Sequence, residues 1–411
     1  MIIKPMVRSN ICLNSHPAGC AKAAQNCIGR IKERFAGENP AKSPANPCRL
    51  ALVIGCSTGY GLASRVTAAF GYGAATVGIS LEKPPSAAKP GTPGWYNNAC
   101  FDREAASAGL RSKTLNIDAF SDAARSAAID AVKETAKAAG LPARIDLVIY
   151  SLASPVRTDP ASGVMYRSVI KPVGAPYSGK TFDMVTGKIS EVSVEPASED
   201  EIAATVKVMG GEDWELWINA LDAAGLLSPC CRTVAYTYIG PSLSWGIYKN
   251  GTIGRAKEDL ERAARSINRK FSGGGQRAWV SVNKALVTRA SAVIPIIPLY
   301  ISCLFKVMKA AGLHEDCADQ MMRLFRERLY TPKASADPQK TPVDGEGRIR
   351  IDDYEMRDDI QAAASALLDR ITEDNVYAES DAAGFKHDFL EAHGFDVAGV
   401  DYESDVDPLG I

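Results

Sequence analysis

Arg49-Leu-Ala-Leu-Val-Ile-Gly55-Cys-Ser-Thr-Gly59-Tyr-Gly61-Leu-Ala-Ser64 is an apolar run that breaks into a glycine-rich turn and resumes with helical spacing. It reads as a strand, a turn and the start of a helix. Glycines at 55, 59 and 61 admit backbone angles closed to other residues. They also let a pyrophosphate reach the N–H groups that open the helix, where the dipole favours negative charge. The order is Gly-x-x-x-Gly-x-Gly and not Gly-x-Gly-x-x-Gly. A tight turn with no ligand accounts for such glycines as well, so the surrounding sequence has to decide between the two.

That glycine order is the one found in short-chain reductases, and the next apolar run agrees with it. Ala75-Thr-Val-Gly-Ile-Ser-Leu81-Glu82 ends in an acid. A carboxylate at the tip of the second strand accepts hydrogen bonds from an adenosine ribose and repels a 2′-phosphate, which favours NAD over NADP. Lys83 beside it weakens that preference, and a solvated strand-end charge is the plainer reading of Glu82.

Further strands are read at Leu110–Asp118, Ile145–Ser154, Arg232–Gly240 and Ala278–Thr288, with a helix over Ser121–Ala139. Strands that alternate with helices imply an α/β fold: a Rossmann-like, doubly wound parallel sheet with ligands at the carboxyl ends of its strands. Between the fourth and fifth strands the chain inserts residues 157–229. This stretch holds a hairpin about Thr186-Gly187-Lys188, a capping box at Ser198-Glu-Asp-Glu201, and two helices divided by Gly210-Gly211. At the mouth of the sheet such an insertion can serve as a substrate-binding lid, or simply cover the sheet edge. We therefore divide the chain into a catalytic domain over 1–330, with 157–229 as the insertion within it, and a C-terminal helical extension over 331–411.

The composition is that of an ordinary globular protein, with 46% hydrophobic and 23% charged residues among 411. A net charge of −1 argues against a nucleic-acid partner or a polybasic membrane contact. The ten cysteines lack the paired short spacings of a zinc or iron–sulfur site, and four histidines offer little help, so no metal is expected. Reduced thiols place the protein in the cytoplasm. Met1-Ile-Ile-Lys-Pro-Met has no signal-peptide core. The longest apolar run, Ala292–Phe305, is too short to span a bilayer and contains Pro295 and Pro298, which points to a buried irregular helix.

Tyr238-Ile-Gly-Pro-Ser-Leu-Ser-Trp-Gly-Ile-Tyr248-Lys-Asn-Gly-Thr-Ile-Gly254-Arg-Ala-Lys257 supplies two tyrosines and a lysine after the fifth strand. A tyrosine hydroxyl can hydrogen-bond a substrate carbonyl as charge develops on it, and an ammonium nearby can lower the phenol pKa from its usual value near 10. An aromatic core contact and a solvated lysine would produce the same composition.

Over essentially its whole length the chain resembles the long bacterial trans-2-enoyl-CoA reductases, the FabV-type enoyl-thioester reductases. The matching segments include Lys4–Arg8, Cys12–Cys20, Gly55–Arg65, Gly91-Thr-Pro-Gly-Trp-Tyr-Asn-Asn98, Ser151–Arg157, Val208–Trp214 and Val287–Pro295. The resemblance implies a tyrosine and a lysine with eight residues between them, which fall on Tyr248 as proton donor and Lys257. It also implies Tyr238 as the substrate-contacting tyrosine. For the cofactor it implies Gly55, Cys56, Ser57, Thr58, Gly59 and Tyr60 at the pyrophosphate, Leu81 and Glu82 at the ribose, and Asp118 and Ala119 near the adenine. Leu152, Ala153, Lys257, Leu286, Val287 and Thr288 would then lie toward the nicotinamide. The implied reaction is NADH-dependent saturation of an enoyl-CoA or an enoyl-acyl-carrier-protein in fatty-acid metabolism, by a monomer.

Three rival readings differ from this one at identifiable positions. A short-chain carbonyl reductase places lysine four residues after the tyrosine, where this chain has Thr252. A non-catalytic NAD sensor needs the turn and Glu82 but not the Tyr248 and Lys257 pair. A methyltransferase could use the same turn and acid with S-adenosylmethionine. Spacing within the pair also sets a geometric condition. At about 100° per residue, nine steps of straight helix would turn Lys257 away from Tyr248. We therefore expect a break near Asn250-Gly251, with the helix starting at about Thr252.

Overall fold

The central sheet holds seven strands: β1 (Leu50–Ile54), β2 (Ala75–Ser80), β3 (Ser112–Asn116), β4 (Ile145–Tyr150), β5 (Leu227–Thr237), β6 (Arg277–Val282) and β7 (Ile349–Arg350). Every pairing is parallel, and the spatial order is 3-2-1-4-5-6-7. The chain runs outward from β1 to β3, then returns to place β4 on the other side of β1. The crevice where the order reverses therefore lies between the carboxyl ends of β1 and β4, the position at which such sheets bind ligands. The computed structural model of the chain describes residues 1–8, 10–38, 46–294 and 296–410.

β1 and β2 are buried at every position, as strands covered on both faces must be. Successive side chains of β1 point to opposite sides. Ala51 and Val53 pack with α1 (Pro17–Phe35), α2 (Gly59–Val66) and α3 (Pro93–Ser107) through Ile31, Leu62, Val66 and Phe101. Leu50, Leu52 and Ile54 pack on the other face against α4 (Asp122–Ala138) and against Trp214, Trp217 and Leu260. A third apolar cluster, which includes Tyr248, Leu286, Val287, Phe305 and Phe385, joins the turn that carries Tyr248 to the C-terminal helices.

The stretch 157–229 divides into two parts. Its capping box at Ser198 and Glu201 opens α5 (Glu199–Met209), and Gly210 and Gly211 separate that helix from α6 (Glu212–Ala223), as the sequence predicts. α6 is not lid material. Its Trp214 and Trp217 are fully buried against the sheet, with Trp214 Nε1 donating to Thr233 Oγ1 at 2.8 Å and Trp217 Nε1 to the Ala119 carbonyl at 3.1 Å. α6 thus belongs to the ordinary crossover from β4 to β5. The true insertion is the earlier part, with hairpins Val156–Thr158/Met165–Arg167 and Tyr177–Phe182/Ile189–Val194.

The C-terminal region is helical over Asp358–Arg370 and Ala382–Glu391, yet it also supplies β7, which pairs with Ser281 and Val282 of β6. Residues beyond 330 therefore complete the same sheet. At the chain ends, the Met1 amino group donates to the Val406 carbonyl and the Val406 N–H to the Met1 carbonyl.

Candidate active site

Gly55 leaves β1 with φ +85°, and a Cβ there would stand 2.2 Å from the Ser151 carbonyl oxygen at the end of β4. The switch-point crevice is thus closed at its base by backbone against backbone. Gly61 serves packing and not backbone freedom, because a Cβ on it would meet the Gly55 carbonyl oxygen at 1.8 Å. Gly59 differs from both: it has φ +53°, and a Cβ built there would make only an ordinary van der Waals contact, with the Thr288 methyl at 3.5 Å. Thr58 is the N-cap of α2 and makes no side-chain cap bond, so the first turn of the helix stays open to an anion. The N–H groups of Gly55 and Cys56 both donate to the Ile79 carbonyl. Phosphates would therefore meet the turn from Ser57 onward.

The turn is held from behind by the start of α3, within the segment Gly91–Asn98 that enters the sequence analysis through the resemblance alone. Asn97 Nδ2 donates to the Ser57 carbonyl at 3.0 Å, and Asn98 Nδ2 donates to Ser80 Oγ at 2.9 Å. Cys56 is buried behind the turn with its thiol facing Asn98 Oδ1. Glu82 is also buried; its carboxylate accepts Ser57 Oγ at 2.6 Å and the Thr92 hydroxyl, with Arg289 Nη1 at 3.9 Å. The acid therefore braces the turn as well as standing at the tip of β2. Leu81 beside it is 67% exposed. The Tyr60 phenol is turned away, donating to the Lys284 carbonyl at 2.8 Å, which leaves only the Tyr60 backbone facing the turn.

Asp118 and Ala119 lie after β3, where Asp118 Oδ1 accepts the Phe120 N–H and the Ala119 carbonyl is held by Trp217. Leu152 and Ala153 lie after β4. Beyond β6, Leu286 and Val287 are buried, and Ser291 Oγ ties the loop by donating to the Leu286 carbonyl at 2.6 Å while accepting the Thr288 N–H at 2.9 Å.

Tyr248 and Lys257 sit where β5 meets the next helix. That helix, α7 (Thr252–Lys270), begins at the expected break, with Gly251 as N-cap. Tyr248 lies in the turn before it, its carbonyl accepting the N–H groups of Gly251 and Gly254. The insertion holds this turn at two points: the Lys171 carbonyl accepts the Thr252 N–H at 2.9 Å, and Tyr177 donates to the Leu243 carbonyl at 3.0 Å. Thr252, where a carbonyl reductase would carry lysine, donates its hydroxyl to the Val169 carbonyl at 2.6 Å.

Tyr248 is 9% exposed and its ring meets that of Tyr238 edge-on, 5.2 Å between centroids. Burial raises the Tyr248 phenol pKa above its usual range. The lowering by Lys257 expected from sequence is absent in this arrangement, because Lys257 Nζ donates to the Tyr236 carbonyl at 3.1 Å. Burial brings Lys257 itself down to about 8. The Tyr238 hydroxyl donates to Glu355 Oε1 at 2.9 Å. Glu355 is fully buried, and no motif in the sequence points to it; it also accepts Tyr300 Oη at 2.8 Å and the Ala285 N–H at 2.6 Å.

Among the described residues no cluster of three or more His, Cys, Asp and Glu could hold a metal ion, and no helix is long and apolar enough to cross a membrane.

Residues 89–330 match the family described as the trans-2-enoyl-CoA reductase catalytic region, and residues 2–87 match the NAD(P)H binding domain of trans-2-enoyl-CoA reductase. Residues 343–406 match a family described as the enoyl reductase FAD binding domain. Neither of the two long helices there opens a phosphate site for a flavin dinucleotide. Helix Asp358–Arg370 opens on Asp358 and Asp359, whose charge repels a pyrophosphate, and the first turn of Ala382–Glu391 is capped by the Asp381 carboxylate. The chain is 54% identical over 409 residues to a trans-2-enoyl-CoA reductase [NADH] of Treponema denticola, covering 99% of each. It is 51% identical over 406 residues to an enoyl-[acyl-carrier-protein] reductase [NADH] of Cytophaga hutchinsonii, covering 99% of this chain and 98% of the relative. The crystal structure of the Treponema denticola trans-2-enoyl-CoA reductase in complex with NAD superposes with a TM-score of 0.92 over 99% of this chain and 98% of that one, at 54% identity. A match of this extent, end to end, means that the chain belongs to the trans-2-enoyl-CoA reductase family.

Proposed function

We propose that this chain reduces the double bond of trans-2-enoyl thioesters with NADH. The observation that carries the reading is the break at Gly251, which sets Tyr248 on a turn and Lys257 on the helix after it, beside the switch-point crevice. When bound, the cofactor supplies the hydride that the β-carbon receives.

The chain's residues bind, orient and stabilise. The open first turn of α2 and the backbone of Ser57–Tyr60 hold the pyrophosphate, and Glu82 takes the adenosine ribose and opposes a 2′-phosphate. Asp118 and Ala119 border the adenine. Leu152, Ala153 and Leu286–Thr288 border the nicotinamide, where Lys257 holds the ribose. Negative charge develops on the thioester oxygen as the β-carbon is reduced. Tyr248, kept protonated by its burial, donates a hydrogen bond to that oxygen in a site from which apolar side chains exclude water. Tyr238 contacts the substrate beside it, and protonation at the α-carbon completes the saturated product.

We place the enzyme in the cytoplasm as a monomer and its reaction in fatty-acid synthesis. The ten unpaired thiols suit a reducing compartment, and the name of the Cytophaga relative suits the pathway.

The test mixes purified protein, NADH and crotonyl-CoA and follows NADH absorbance, with the saturated butyryl thioester as control. Loss of NADH that depends on crotonyl-CoA is expected. No turnover with either crotonyl-CoA or crotonyl-acyl-carrier-protein would refute the reading.

A further inference from the structure

One carboxylate from the C-terminal region reaches both sides of the site. Glu355 comes shortly after β7, is fully buried, and divides its two oxygens. Oε1 accepts the phenols of Tyr238 at 2.9 Å and Tyr300 at 2.8 Å, and Oε2 accepts the Ala285 N–H at 2.6 Å. Ala285 immediately precedes Leu286–Thr288, the loop read as bordering the nicotinamide. Tyr238 is the tyrosine read as touching the substrate, and its ring abuts Tyr248. Gln361 Nε2 steadies the arrangement by donating to Tyr300 Oη at 3.0 Å and to the Glu355 carbonyl at 2.7 Å. Burying a carboxylate is costly, and these donors offset that cost by satisfying its oxygens.

We propose that Glu355 is a positioning residue for the reduction: it fixes the distance between the substrate tyrosine and the nicotinamide loop by holding Tyr238 through one oxygen and Ala285 through the other. The proposal rests on the reading of Tyr238 as a substrate contact. The reach is carried by neutral donors; the buried Lys284 ammonium, which donates to the Ala285 carbonyl at 3.1 Å, acts on the carboxylate through its charge, favouring the ionised form. This role of Glu355 also makes the C-terminal region part of the catalytic apparatus.

Two substitutions separate reach from charge. Glu355→Gln keeps the length of the side chain: its amide oxygen can accept Ala285 N–H and its amide nitrogen can donate to the phenols. Glu355→Asp keeps the charge but withdraws the carboxylate by one methylene, so that it cannot span both partners. We expect Glu355→Gln to keep kcat within about threefold of wild type and Glu355→Asp to lose about tenfold or more, read as free energies of the transition state. The NADH dissociation constant, measured by fluorescence titration, should stay within about threefold in both. In a Tyr238→Phe background, Glu355→Asp should lower kcat by clearly less than it does in wild type, because the part of its effect that passes through the Tyr238 hydroxyl is already lost and only the part through Ala285 remains. Should the Asp variant not fold, as judged by thermal melting, Glu355→Gln in the Tyr238→Phe background must match Tyr238→Phe alone. An Asp variant as active as wild type, a Gln variant as impaired as Asp, or full multiplicative loss in the Tyr238→Phe background would each overturn the positioning role. Wild-type turnover by Tyr238→Phe itself would instead remove the reading of Tyr238 on which the proposal rests.

Discussion

In the proposed reduction Tyr248 and Lys257 act through different atoms, and that separates their expected phenotypes. Tyr248→Phe removes one hydroxyl from a buried, mostly apolar setting, so the fold should tolerate it, while turnover falls by roughly two to four orders of magnitude, the scale of a lost general acid. NADH affinity should stay nearly unchanged, which a titration of the variant checks. Lys257 is charged below its pKa and neutral above it. Burial brings that pKa to about 8, so the ammonium is present at neutral pH and lost as pH rises through 8. We predict that kcat/KM for NADH falls above about pH 8, the limb that reports the free enzyme. Lys257→Arg, which stays charged, should abolish that limb even if its overall rate is lower, and an unchanged profile would show that another group titrates. Glu82→Ala should narrow the preference for NADH over NADPH. Because Glu82 also accepts Ser57 and Thr92, the variant should bind NADH less tightly as well. Equal kcat/KM for both cofactors in wild type would remove Glu82 as the discriminator.

The elements carry the glycine-rich turn and the helix break. The three glycines of the turn make distinct demands, which stability measurements can resolve. Gly59→Ala adds a side chain that meets only the Thr288 methyl at ordinary contact distance but sits at positive φ, so it should cost about 1–2 kcal/mol. Gly61→Ala drives a Cβ into the Gly55 carbonyl and should lie at or above the upper end of the about 1–3 kcal/mol typical of overpacking. Chemical denaturation of both variants tests this, and equal losses would contradict the separate roles. The turn itself and the break at Gly251 were legible because glycine placement and helical periodicity are local signals. So was the capping box at Ser198 and Glu201. The role of α6 was not, since two tryptophans on a helix look alike whether they face a lid or a sheet. Nor was the role of Asn97 and Asn98 in bracing a turn some forty residues earlier in the chain. Glu355 was hidden for a related reason. It stands in the polar run Asp352-Asp353-Tyr354-Glu355, and its partner Tyr238 lies 117 residues away, so only the folded chain brings the two together.

At the scale of the whole molecule, three sets of residues far apart in the chain meet at one crevice. The turn after β1 and the buttress of α3 come from the first hundred residues, the reactive turn before α7 comes from the middle, and β7 with Glu355 comes from beyond residue 330. The insertion reaches the same place by holding the start of α7, so that movement of its hairpins would be felt at Tyr248. The matched families divide the chain at 87 and 330, whereas the sheet runs through both boundaries. This assembly brings a reduced cofactor and an enoyl thioester together so that the β-carbon receives hydride and the α-carbon a solvent-derived proton. The most direct test is a turnover of crotonyl-CoA in ordinary water with NADH carrying deuterium at both C4 positions, followed by mass spectrometry and NMR of the product. The account predicts butyryl-CoA with one deuterium, located at the β-carbon, and a second deuterium at the α-carbon when the solvent is heavy water. Deuterium from the cofactor at the α-carbon, or a saturated product without cofactor-derived deuterium, would contradict it.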